Sequence, residues 1–285
     1  MKTAQFRLHA AIEERHWWFL GRRRIVSELV HRLVPPSKEE LIVDIGCGTG
    51  GNLSAFAKDY SCLGIDPSDE GIQSARQRFP NAQFICGAIP DALQALPRPA
   101  SVMLLMDVLE HVPDDFWLLS TLLTQAKPGA YLLVTVPADM RLWTEHDVSF
   151  GHYRRYDLPR LRRVWSDLPV TTSLVSYYNA RLYPIVRGIR MVNRWRGRTS
   201  GAAGTDFNTP AKPLNRFLQT IFASEAKTLV DCLGGRRSSG FSRGVGLIAI
   251  VRREQGVIHA RTKLADIAPD PYDPLAAHET SNVQA

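Results

Sequence analysis

The nine residues Val43-Asp44-Ile45-Gly46-Cys47-Gly48-Thr49-Gly50-Gly51 constrain this chain more than any other stretch. They close an apolar run, Leu41 to Ile45, that reads as a fully buried strand, and they place glycines where the backbone must turn sharply into the next element. Gly46, Gly48 and Gly51 satisfy G-x-G-x-x-G, a spacing that lets a ligand approach the main chain closely. Asp66 lies 66 − 46 = 20 residues further on, at the end of a second apolar strand, where a carboxylate can accept from both ribose hydroxyls. These residues point to an adenosine-bearing cofactor. Asp44 separates the candidates: a carboxylate at the end of the first strand repels a pyrophosphate, which wants backbone donors and a positive helix end. It attracts an ammonium or a sulfonium instead. The physical preference is therefore S-adenosylmethionine over a nicotinamide dinucleotide.

Strands and helices alternate around this turn. Cys62 to Asp66, Gln83 to Cys86, Val102 to Met106 and Tyr131 to Val136 read as further strands, and a helix is predicted after the glycines through Leu53 and Phe56. Ser68, Asp69 and Glu70 start another helix, and Pro113, Asp114 and Asp115 a third. The rhythm predicts an α/β fold, a doubly wound and mostly parallel sheet, with a helical insertion before the last strand. The expected organisation is a capping helix over residues 1–36, a cofactor-binding core over 37–178, a helical insertion or lid over 179–241, the last core strand over 242–253 and a flexible tail over 254–285. Thr172 to Tyr178 is a candidate strand and Val245 to Val251 a clear one; Leu214, Phe217, Ile221, Phe222 and Leu229 mark a helix face expected to pack.

Val43 to Gly50 resembles motif I of the class I, Rossmann-like methyltransferases, and Gly64-Ile65-Asp66-Pro67-Ser68 resembles their second-strand acidic motif. Leu104-Leu105-Met106-Asp107-Val108-Leu109-Glu110-His111-Val112 is similar to their fourth-strand motif, and Lys127-Pro128-Gly129-Ala130 to K-P-G-G with its last glycine replaced. His16-Trp17-Trp18-Phe19-x-Gly-Arg-Arg and Gly151-His152-Tyr153-Arg154-Arg155-Tyr156 resemble a bacterial subgroup whose substrates are mostly unassigned. The resemblance implies S-adenosylmethionine contacts at Asp44, Gly46, Cys47, Gly48, Gly50, Asp66, Pro67, Ala88, Met106, Asp107 and Val108. Where such enzymes often set an Asp after the third strand, this chain reads Cys86-Gly87-Ala88-Ile89, so the adenine contact falls to the backbone, to Asp91, or is absent.

Methyl transfer needs nucleophile, methyl and sulfur held in line with water excluded, and a hydroxyl nucleophile also needs its proton removed. His111, His146 and His152 compete for that role, and each is equally readable as a packing or capping residue. Arg154 and Arg155, with Tyr156, suit an anionic group on an acceptor; the alternative is a structural charge cluster. Trp17 either closes over the site or packs its own helix. Between Arg181 and Arg198, Leu182, Ile185, Ile189 and Val192 fall on one helical face and Arg187, Arg190, Arg194 and Arg198 on another, which suits a lid or, less favoured, contact with an anionic membrane.

Cys47, Cys62, Cys86 and Cys232 form no C-x-x-C pair, so buried free thiols are expected and no metal ligands are singled out. Glu13, Glu14 and Arg15 interrupt the stretch an export signal would need, so a cytoplasmic protein, at most peripheral to a membrane, is expected. The net charge of +7 permits an anionic partner. The favoured reaction is methylation of a small-molecule acceptor at oxygen, with a glycan or lipid-linked intermediate as candidates. A nucleic-acid methyltransferase is disfavoured because Asp107-Val108-Leu109-Glu110 stands where base-amine enzymes carry Asn/Asp-Pro-Pro-aromatic. A nicotinamide oxidoreductase is disfavoured by Asp44.

Overall fold

Leu41–Ile45 form β1, and all five residues are buried because the strand has parallel neighbours on both edges and helices on both faces. In the computed structural model, which describes residues 3–195 and 208–260, the chain begins with helices α1 (Thr3–Ile12) and α2 (Trp17–Leu33). After β1 come β2 (Ser61–Asp66), α3 (Asp69–Arg78), β3 (Gln83–Cys86), β4 (Ala100–Met106), α4 (Asp115–Gln125) and β5 (Ala126–Pro137). The chain continues through α5 (Glu145–Phe150), α6 (Leu158–Arg163), β6 (Val170–Tyr178), α7 (Tyr183–Trp195), α8 (Lys212–Ala223), α9 (Glu225–Leu233) and β7 (Gly246–Arg253). The seven strands lie in the order β3-β2-β1-β4-β5-β7-β6. β7 alone runs antiparallel, wedged between β5 and β6, so the expected α/β sheet is present with its helical insertion, α7 to α9, ahead of the last strand.

The two faces of the sheet bury alternate residues. Val43, Leu105 and Val134 pack with Phe116, Leu119 and Leu122 of α4 and Leu161 of α6. Ile42, Leu104 and Leu133 pack on the other side with Ile25 and Leu29 of α2, Ile72 of α3 and Phe222 and Leu229 of α8 and α9. α2 runs tight against α8: a Cβ at Gly21 would come within 2.5 Å of the Phe222 ring. Because the strand order reverses between β1 and β4, their carboxyl ends open a crevice, the position where such sheets take ligands.

Three local expectations change. The segment after the glycines is a single 3-10 turn, Leu53–Ala55, followed by isolated turns, and Glu13 packs against Gly51 so closely that a Cβ there would meet its carboxylate. Leu53, Phe56 and Tyr60 are nonetheless buried. The predicted long packed helix breaks at Ser224, and its buried face runs through Asn215, Leu218 and Phe222, leaving Leu214 and Phe217 exposed. Cys86 is exposed at the end of an edge strand, although all four thiols are free. Pro184 sits in the first turn of α7, where its missing N–H costs nothing, and Gly188 is carried inside the helix. Arg198, and the tail beyond residue 260, lie outside the described residues.

Candidate active site

The floor of the crevice is main chain. Gly46 and Gly48 adopt φ of 67° and 53°, and the N–H groups of Gly46 and Cys47 both donate to Ile65 O, at 2.8 and 3.1 Å. This doubles the turn back onto β2. A Cβ on Gly46 would stand 2.9 Å from Val108 Cγ2, so Val108 props the loop from below. Asp66 accepts from Gly48 N–H through Oδ2 and from Ser68 N–H through Oδ1, each at 2.8 Å. Burial raises its pKa while these two bonds oppose the rise, and each oxygen keeps a lone pair for a ligand. Asp44 is fully buried behind this floor. Its Oδ2 accepts from Asn52 Nδ2 at 3.2 Å, its Oδ1 has no partner, and burial pushes its pKa up to about 7. Asn52, not Asp44, lines the crevice.

The roof comes from α1 and α2. Glu13 accepts from Thr49 Oγ1 at 2.8 Å and pairs with Arg78, tying the N-terminal helices to the glycine loop. His16 caps α2 by accepting from Trp18 N–H at 3.2 Å. Arg22 stacks over the Trp18 ring at 4.3 Å and pairs with Asp107. Asp107 itself holds φ of 59°, a left-handed conformation unusual for a residue with a side chain, fixed by its N–H to Thr135 O at 3.0 Å and by Thr135 Oγ1 at 3.2 Å. Burial, then the charge of Arg22, hold His9 neutral with a pKa down to about 3.

The far end is made of side chains. Asp147 in α5 accepts two hydrogen bonds from Arg155, at 2.9 and 3.0 Å, and one from His152 Nδ1 at 2.9 Å. Burial alone would raise its pKa, but the Arg155 charge and these bonds hold the carboxylate well below its usual range. With Nδ1 donating, a neutral His152 keeps its lone pair on Nε2. The His111 ring meets that of His152 edge-on at 4.6 Å, and burial, followed by the His152 charge, takes its pKa down to about 3. Glu110 is fully buried, and burial with the charges of Asp107 and Asp147 drives its pKa well up. Tyr153 N–H donates to Glu110 O at 2.7 Å, binding this loop to the end of β4.

Floor, roof and far end enclose one cavity of about 460 Å³. Among the expected site residues, Gly46, Cys47, Gly48, Asp66, Met106, Asp107, His111, His146, His152, Trp17 and Arg155 line it. Asp44, Gly50, Pro67, Ala88 and Val108 do not, nor do Arg154 and Tyr156. Arg154 donates to the carbonyls of Val112 and Pro113, both at 2.8 Å, and the Tyr156 hydroxyl to Asp115 at 2.8 Å, so both brace the loop rather than face the cavity. Trp17 lines the cavity and also sets its ring edge-on to Phe222 at 6.0 Å, satisfying both readings of it. Val186, Ile189 and Arg190 place α7 along one wall. Sequence reasoning missed His9, Glu13, Arg22, Asn52 and Glu110 as lining residues. Arg22 and Glu110 stood inside quoted motifs, whereas nothing in the sequence pairs Glu13 with Thr49.

Residues 18–181 match a family described as a methyltransferase domain. The chain belongs to this family. A trans-aconitate 2-methyltransferase of Methylobacterium radiotolerans is 33% identical over 123 residues, 42% of this chain and 46% of that protein. The chain thus spans about half the length of the curated relatives it matches. Among solved structures, a Haloferax volcanii methyltransferase in complex with the Trm112 activator superposes with a TM-score of 0.52 at 17% identity, over 90% of this chain and 97% of that one. The plantazolicin methyltransferase BpumL, solved with SAH and a substrate analog, gives 0.52 at 14% identity, over 88% and 90%. These show the fold. The domain is that of a class I S-adenosylmethionine-dependent methyltransferase, and S-adenosylmethionine is its cofactor. The residues fit it: the positive-φ glycines leave room against the main chain, Asp66 keeps open lone pairs, and the unpartnered Asp44 oxygen lies behind Asn52.

Proposed function

We propose that this chain methylates an oxygen of a small-molecule acceptor, an organic acid or a hydroxyl compound, inside this cavity. The observation that carries the reading is one enclosed space with a main-chain floor fit for the cofactor and a lone-pair-rich end made by Glu110, His111 and His152. The cofactor supplies a methyl group activated by the sulfonium. Asp66 would hold the ribose, and Asn52 relays the charge of Asp44. At the far end, Arg155 and Asp147 position His152, while Glu110, His111 and His152 orient the acceptor oxygen. Trp17, Phe19 and Phe150 exclude water. The named trans-aconitate relative supports an organic acid as acceptor.

The test is transfer of label from methyl-tritiated S-adenosylmethionine to a panel of small organic acids and hydroxyl compounds. Labelled product from at least one, lost in His152→Ala, is expected; labelling of protein or nucleic acid but of no small molecule would end the reading.

One observation favours a second acceptor class. α7 exposes Ile185, Met191, Val192 and Trp195 beside Arg187, outside the face that lines the cavity. That amphipathic surface supports a lipid-linked acceptor offered at an anionic bilayer. Among the described residues no helix is long and apolar enough to cross a membrane. Sedimentation with phosphatidylglycerol vesicles, but not with phosphatidylcholine vesicles, is the expected result for this class; recovery in the supernatant with both removes it.

A further inference from the structure

Among the described residues, Glu110 alone has both carboxylate oxygens buried without a hydrogen-bond partner. Burial favours the neutral form of this carboxyl, and even a neutral buried polar group left without a partner costs about 1–3 kcal/mol. What stands opposite is two imidazoles: one donor atom each from Glu110, His111 and His152 lies within 4.8 Å of the other two. The outer side of one ring is already tied down: His152 Nδ1 donates to Asp147, itself fixed by Arg155. A neutral imidazole with one nitrogen so engaged offers its remaining lone pair, and this outer hydrogen bond is the arrangement that metal-binding histidines share.

We infer that Glu110, His111 and His152 bind one divalent transition-metal ion at the acceptor end of the cavity. Two imidazoles and a carboxylate suit manganese, iron, cobalt or zinc better than magnesium or calcium, and they leave positions open for a ligand. Bonds of about 2.0–2.2 Å require the three donors to close in from that spacing. The three residues are all on the cavity wall. The ion also answers a charge problem that rests on the proposed function. Arg22 and Arg155 are paired with Asp107 and Asp147, so neither guanidinium is left over to take an organic acid at this end. A divalent cation supplies that positive charge and takes the acceptor's carboxylate or hydroxyl oxygen in an open position. The cysteines, which carry the usual sequence signal for zinc, have no part in it; the ligands come from two segments, 110–111 and 152.

The experiment uses the full chain, dialysed against a chelator and titrated with Mn2+ while the free-ion electron paramagnetic resonance signal is followed; binding of S-adenosylhomocysteine is measured separately by calorimetry. One Mn2+ per chain is expected, with affinity falling at least tenfold in Glu110→Gln and in His152→Gln while the melting temperature and S-adenosylhomocysteine affinity stay at wild-type values. If either variant melts well below wild type, His111→Gln replaces it. A wild-type protein that binds S-adenosylhomocysteine but no stoichiometric Mn2+, or variants that bind Mn2+ as tightly as wild type, would overturn the ion site and leave the methyltransferase reading intact. Stoichiometric Mn2+ lost in the variants, with no S-adenosylhomocysteine binding, would uphold the ion site and remove the cofactor reading.

Discussion

At one end of the cavity Gly46, Gly48 and Asp66 come from a single stretch of chain and present mostly main-chain groups; at the other, Glu110, His111, Asp147, His152 and Arg155 come from two separated segments and present side chains. The first end is shaped by space: its conformations demand glycine, and an added Cβ would meet Val108 at Gly46, or Ala75 and Phe84 at Gly50. The second is shaped by charge: a buried carboxylate is held ionised by one guanidinium and one imidazole, and a second carboxylate has no partner. Damage should therefore propagate differently. Changes at the floor should cost cofactor affinity with the fold intact, and loss of the buried Asp147–Arg155 pair at the far end should cost stability first.

The largest expected effect tests that contrast directly. Asp147→Asn leaves Arg155 buried without its counter-charge and should destabilise the protein by about 3–5 kcal/mol, read as a lower urea midpoint. Its pH dependence has a defined sign. The folded-state pKa of Asp147 lies below the unfolded value near 4, so its contribution is present above pH ~4 and is lost as pH falls further; the variant should show a flatter acid limb. If Asp147→Asn were as stable as wild type, the far end would not be held by charge.

Gly46→Val comes next. At φ of 67°, with its Cβ 2.9 Å from Val108 Cγ2, the substitution should weaken S-adenosylhomocysteine binding at least 100-fold, about 2.7 kcal/mol, with a smaller change in melting temperature. Asp66→Ala should weaken it at least tenfold, about 1.4 kcal/mol, in the same calorimetric measurement, and an unchanged affinity would remove Asp66 from the ribose. Tyr156→Phe should cost about 1 kcal/mol of stability through the lost bond to Asp115 and leave KM for the acceptor unchanged. The smallest effect belongs to Asp44: with its carboxyl near pH 7 in the free protein, binding a cationic cofactor should release part of a proton at neutral pH. Calorimetry in buffers of different ionisation enthalpy detects this release, and it should vanish in Asp44→Asn.

The same contrast explains what the sequence disclosed. Strands buried on both faces read as unbroken apolar runs, so β1, β2, β4 and β5 and the topology they imply were legible, as was the floor, because a glycine turn and its acidic partner sit at a fixed separation. The helix expected after Gly51 was not formed, and Glu13, from the turn between α1 and α2, packs against that glycine in a contact between distant segments that the sequence does not announce. The packing of α8 was misplaced because Leu214 and Phe217 share its helical period but not its buried face. At the far end, the histidines were legible as candidates, but their roles depend on what each touches. Arg155 turns to Asp147 while its neighbour Arg154 turns to two carbonyls, and adjacent identical residues carry no sequence signal of that divergence. Glu110 was visible as a letter in a motif, and its lack of a partner became visible with the fold.

The measurement that bears most directly on the account is calorimetric titration of the full chain with S-adenosylhomocysteine, with NADH and NADPH in parallel. One-site binding of S-adenosylhomocysteine, abolished by Gly46→Val and accompanied by no heat from either nicotinamide nucleotide, is the predicted result. Binding of NADH or NADPH in place of S-adenosylhomocysteine would contradict the reading of Asp44 and Asp66 and, with it, the assignment of the cavity to methyl transfer.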